Sequence, residues 1–150
     1  MSAGAARKPP STALVLLGAI GGPLLFVGLF VWMMSGFAAY EAVASGFVRE
    51  VAAGRYEAAY GRMASPYRAS VPLERFRASL SHNAWFRGAT SVDISRTVSN
   101  HGGTSASGTM LRPGGEVGVR FHFVEEGDVE RITNVVIGGA NAVPSPAEAP

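Results

Sequence analysis

Hydrophobic positions follow three regimes along this chain. The first is an unbroken run from Ala13 to Met34, ALVLLGAIGGPLLFVGLFVWMM, with no charged residue. As a helix it covers roughly 33 Å, enough to cross a ~30 Å hydrocarbon core. The second regime has apolar residues at three- and four-residue steps, the stripe of an amphipathic helix. Phe37, Tyr40, Val43, Phe47 and Val51 share such a stripe between Phe37 and Ala53, with Glu41, Ser45 and Arg49 opposite and Gly54 as the stop. Arg55 to Ala64 repeats it through Tyr56, Ala59, Tyr60 and Met63, and Ser65-Pro66 is expected to end that helix, leaving Tyr67 and Arg68 in a connection. Pro72 to Ser81 predicts a third helix with Leu73, Phe76 and Leu80 inward.

After Trp85 and Phe86 the period falls to two, as in strands with one wet face. Val92, Ile94 and Val98 alternate with Asp93, Ser95 and Thr97; Thr104 to Leu111 is a weaker, Ser/Thr-rich strand. Glu116 to Glu125 carries Val117, Val119, Phe121 and Phe123 on one face and Arg120 and His122 on the other. Val129 to Ile137 closes the series, with Gly138-Gly139 as its end. The turns at Asn100-His101-Gly102-Gly103, Arg112-Pro113-Gly114-Gly115 and Glu126-Gly127-Asp128 are short, which favours an antiparallel meander. The predicted fold class is therefore α+β: one N-terminal transmembrane helix, then three helices packed on a curved four-stranded antiparallel sheet. Residues 1–12 are expected as a disordered cytoplasmic tail, 13–34 as the span, 37–139 as the extracytoplasmic domain and 140–150 as a second disordered tail.

Charge sets the direction of the span. Arg7 and Lys8 precede it and Glu41 follows, so the N-terminus is expected in the cytoplasm, with Trp32 and Tyr40 at the outer interface. Two rival readings are a cleaved signal peptide, with Ala42-Val43-Ala44 or Gly36-Phe37-Ala38 as the cleavage site, and a buried helix of a soluble domain. The run exceeds the ~7–15 apolar residues of a signal peptide, which favours the uncleaved anchor. Gly18 and Gly22 have the four-residue spacing of a helix-pairing face, in a chain where glycine is frequent throughout. Net charge is only +2, and the domain's arginines are interspersed with glutamates, so no basic face for nucleic acid is present. Lys8 is the only lysine, and Ala and Gly are abundant, as in GC-rich bacterial genomes.

Cysteine is absent, which removes disulfides, thiol nucleophiles, a lipoprotein anchor and thiolate zinc sites. His82, His101 and His122 fall on a helix end, a turn and a strand, without the spacing of a metal site, and the glycine-rich turns precede no helix that would cradle phosphate. Neither a cofactor nor a metal is expected.

The run Phe47-Val48 … Ala53-Gly54-Arg55-Tyr56-Glu57-Ala58-Ala59-Tyr60 … Ser65-Pro66-Tyr67-Arg68 … Leu73-Glu74-Arg75-Phe76 resembles the small membrane-anchored bacterial domains of the nuclear-transport-factor-2-like and cystatin-like superfamilies. The likeness spans Phe37 to Ile137, lacks the tryptophan often found before the closing strand, and concerns core packing rather than chemistry. It implies a helix layer before a curved sheet and, for the enzymes of that fold, polar residues in a cavity between the two. The candidates for such a cavity are Tyr56, Tyr60, Trp85, Asp93, Arg120 and His122, with Asp93 and His122 as an acid–base pair if their strands bring them into register. The bland alternative makes the aromatics core residues with polar tips and leaves Arg120 and His122 on the wet sheet face. The Gln-x-Val-x-Gly wedge of cystatin-like inhibitors is impossible, because the chain has no glutamine.

Three functions compete. One is an anchored, non-catalytic module that meets an envelope protein or a small apolar ligand. Another is a cofactor-independent isomerase, cyclase or dehydratase, which requires a polar-lined cavity. The last is a spacer or assembly subunit of a membrane complex. All share the bilayer as a partner through Ala13 to Met34. The anchor predicts that the full-length protein stays in the membrane pellet through high salt and alkaline carbonate; release of intact protein by either treatment contradicts it.

Overall fold

The computed structural model describes Gly28 and residues 38–146. The span Ala13 to Met34 lies, apart from Gly28, outside the described residues, and so does the N-terminal tail. Among the described residues no helix is long and apolar enough to cross a membrane. The chain divides after Gly36, and the unit beginning at Phe37 is the one described below.

Among the described residues that unit is α+β, with four α-helices rather than three and five strands rather than four. Helix α1 covers residues 38–52. Its stripe is buried through Ala44, Phe47, Val48 and Val51. Gly54, at φ 72°, then takes the left-handed conformation that ends a helix. Helix α2 is Tyr56–Gly61, shorter than expected. Met63 leaves it to form a parallel bridge with Ile132. Ser65-Pro66 opens a helix rather than a connection: α3 is Ser65–Ser70, with Pro66 in the first turn, where its missing amide proton is no loss. Helix α4 is Leu73–Ser81, and a 3-10 turn, Ala84–Phe86, leads to the sheet.

The strands are β1 Ser91–Asn100, β2 Gly103–Arg112, β3 Gly115–Glu126, β4 Val129–Ile137 and β5 Ala140–Asn141. They form one antiparallel meander in sequence order. Gly138 and Gly139, read from sequence as an end, are instead a two-residue hairpin turn, both at positive φ (58° and 88°), as the tight right-twisted hairpin needs. The expected tail at 140 therefore begins as a strand, and Ala142 and Val143 are buried after it.

Two bulges alter the face on which residues fall. At Ser95 the β1–β2 register slips by one, so Thr97 stands opposite buried Ala106 while Val98 stands opposite Ser105 on the outer face and is 47% exposed. The sequence expectation that Val98 points inward fails for this reason. The bulge also brings the Asp93 carbonyl over Gly108, where an added Cβ would stand 1.8 Å from that oxygen. A second slip between His122 and Phe123 leaves Thr133 unpaired in the ladder, with its hydroxyl donating to the His122 carbonyl. Inward positions on β4 thus run Ile132, Val135, Ile137.

Both edges of the sheet are managed. On the free side of β1, Ser45 of α1 donates to the Val92 carbonyl and accepts from the Val92 amide. On β4, the Ala64 amide donates to the Ile132 carbonyl and the Ile132 amide to the Arg62 carbonyl. Arg62 also holds Glu50 of α1 through two 2.7 Å hydrogen bonds, and its guanidinium packs where a Gly46 side chain would lie. Glu126, ending β3, accepts from the Ser65 amide and hydroxyl and so caps α3; these bonds, chiefly the one from the amide, hold its carboxyl below the usual range.

One apolar core joins the helices to the inner sheet face. Phe47 is fully buried and makes edge-on contacts with Phe76 of α4, Phe86 of the 3-10 turn and Phe121 of β3, at 6.0–6.3 Å between centroids. Replacing Phe47 with Ala should lower the unfolding free energy by about 3–5 kcal/mol, read from denaturant titration. Val98→Thr should fall within about 0.5 kcal/mol of the parent, since the bulge leaves that side chain in water.

Candidate binding face

The chemistry-bearing side chains gather on the sheet face that turns away from the core. On β3, side chains alternate between the core and this face, so Glu116, Gly118, Arg120 and His122 stand in line between inward Val119, Phe121 and Phe123. Their cross-strand neighbours complete two polar rows. Ser107 and Val136 flank Arg120, while Ser105 and Asn134 flank His122. Arg120 Nε donates to Ser107 Oγ at 3.2 Å, and Asn134 Nδ2 donates to Asn141 Oδ1 at 3.1 Å.

Two open hollows lie on this face. The larger, about 410 Å³, is lined by Ser107, Gly118, Arg120 and Val136, with Gly108, Gly138 and Gly139 among its walls. The second, about 360 Å³, lies further along the strands and holds Ser105, His122, Thr133 and Asn134. His122 is half-buried; partial burial, then the neighbouring Arg120 cation, push its pKa below the ordinary 6.5. Arg120 and, opposite Ser107 on β1, Arg96 are the cations of this patch. Among the described residues no carboxylate forms an ion pair with Arg120, whereas Arg62 pairs with Glu50 and Arg77 with Glu57.

The six residues singled out from sequence are dispersed by the fold. Arg120 and His122 are brought together. Asp93 shares their face but stands opposite Thr109, whereas His122 stands opposite Ser105. Four residues along β2 and two strands across place them roughly 13 Å and 10 Å apart in the two directions, too far for proton transfer. Tyr60 serves the fold: its hydroxyl is shared between the Val71 and Arg68 carbonyls and its ring packs on Phe76. Tyr56 borders a separate 180 Å³ hollow with Val51, Asn83, Phe86 and Arg87. Trp85 lies at the end of the sheet, 36% exposed, under the Arg112 guanidinium at 4.8 Å.

The interior between helices and sheet has a different character. Its largest fully buried side chains are Phe, Met, Ile and Val, and among the described residues no charged residue is fully buried. Tyr67 brings a phenol into it: the residue is 3% exposed, its hydroxyl, like Arg68 Nε and Arg131 Nε, is buried without a hydrogen-bond partner, and burial pushes its pKa up. An unpartnered phenol has no base to receive its proton and forms no acid–base pair. Among the described residues no three of His, Asp and Glu cluster as metal ligands.

Ser107, Gly118 and Asn134 were not legible as site residues. Gly118 carried a signal, since a glycine inside the most hydrophobic strand marks a bulge or a close approach. Compared with known families and with curated proteins, the chain matches no family model and no curated protein.

The environment of His122 predicts a titration midpoint below 6.5 by ring-proton NMR. Arg120→Met should move it upward only in part, because burial is the larger cause. The sign for stability follows: a folded pKa below the unfolded one favours the native state above pH 6.5 and withdraws that contribution as pH falls through the window beneath it.

Proposed function

We propose that this chain is a non-catalytic binding module of the bacterial envelope, anchored by a single span at Ala13 to Met34 with its N-terminus in the cytoplasm. Its domain is of the nuclear-transport-factor-2-like or cystatin-like kind, and the sheet face turned away from its core meets the partner or ligand. The helix-then-meander order supports the kinship read from the sequence motifs. The charge-free run behind Arg7 and Lys8 supports the anchor and its direction.

The observation that carries the reading is the division of labour between the two faces of the sheet. The inner face is packed against the helices through apolar and aromatic side chains. The outer face bears hydroxyl, amide, imidazole and guanidinium groups around two hollows. An isomerase or dehydratase of this fold needs converging polar groups inside, and the apolar and aromatic lining of the described core gives that reading no support.

The test uses the full-length protein in its membrane with a photoreactive residue at Thr109, exposed on the outer face, or at Ala78, exposed on α4. Adducts form from Thr109 and not from Ala78 if the sheet is the contact surface. Equal labelling from both positions, or none from Thr109, counts against it.

A further inference from the structure

Gly118 occupies the middle of β3, a strand with neighbours on both sides. Its φ is not in the left-handed region, and a Cβ built on it would meet no atom within 4 Å. A glycine there loosens the strand without relieving any contact or strain inside the chain. The other glycines around the larger hollow have local reasons: Gly108 sits beneath the Asp93 carbonyl at the bulge, and Gly138 and Gly139 make the hairpin turn. What the missing side chain at Gly118 preserves is the floor of the hollow.

A cation borders that floor. Arg120 lies two residues on, on the same face and exposed, with Nε donating to Ser107. That bond leaves the terminal amino groups of the guanidinium, a planar fork matched to two carboxylate oxygens. Val136, opposite Arg120, adds an apolar wall. The volume, about 410 Å³, is at the small end of ligand pockets.

We propose that the hollow binds a small organic carboxylate, its anionic end on Arg120 and Ser107 and its apolar body over Gly118 against Val136. This deepens the binding-face reading above and rests on it. Arg96 of β1 stands opposite Ser107 on the same face and adds positive charge to this row, while the planar fork of Arg120 and the apolar Val136 wall match a carboxylate with an organic body rather than inorganic phosphate. Glu116 lies on the same face on the far side of Gly118, roughly 13 Å along the strand from Arg120, and so directs the anionic end away from itself.

The experiment titrates 4-fluorobenzoate and its neutral isostere 4-fluorobenzamide into the full chain in detergent micelles, observed by fluorine NMR. Benzoate should bind at least about tenfold more tightly than the amide, and Arg120→Met should remove that preference. Gly118→Val separates a site from mere architecture. Valine suits a strand and has room here, so the melting temperature should hold or rise while benzoate binding is lost. Unchanged binding in Gly118→Val, equal affinity for acid and amide, or no binding of benzoate to the parent chain each overturns the carboxylate assignment. If Thr109 labelling persists in those cases, the sheet face remains the contact surface; if it is also absent, both readings fall.

Discussion

The ring of Phe47 is the point where the helical layer is fastened to the sheet. It comes from the middle of α1 and touches α4 through Phe76, the 3-10 turn through Phe86 and the central strand through Phe121. From Phe76 the contacts continue to Tyr60 and Tyr67, and from Phe121 to Phe123 and Tyr40. Helices α2 and α3 have six residues each, too short to persist alone. They are held because this aromatic cluster and the Met63–Ile132 bridge give them a surface. Edge-on ring contacts also fix direction, since the hydrogen edge of one ring meets the electron-rich face of the next.

Filling the interior in this way moves the available chemistry outward. An apolar core gains from burial and has no use for a guanidinium or an imidazole, whose desolvation is costly without a partner. Arg120 and His122 are accordingly on the opposite side of β3 from Phe121 and Phe123. The same alternation that stabilises the domain thus produces a polar surface of hydroxyls and amides.

In the proposed reading the anchor and the binding face act together: a module tethered by one span would meet its partner at the membrane surface, where concentration is set by the tether rather than by tight association. Shallow hollows and few charges suit such contacts. The two edges of the sheet are occupied by Ser45 on one side and by Met63, Ala64 and β5 on the other, which discourages edge-to-edge pairing between crowded copies.

Local patterning was enough to read the first helix, the third predicted helix and the four long strands, because their periods of 3.6 and 2 arise from backbone geometry that any neighbour must respect. It also separated Phe121 and Phe123 from Arg120 and His122. Tertiary structure decided the rest. Ser65-Pro66 starts α3 because Glu126, 61 residues away, caps it. Val98 turns to water because a one-residue slip against β2 reverses its face. Gly138-Gly139 becomes a hairpin because Ala140 and Asn141 find open groups on β4. Asp93 and His122 part because register across three strands, not composition, sets their separation. Each of these depends on partners distant in sequence, and no local period encodes such a pairing.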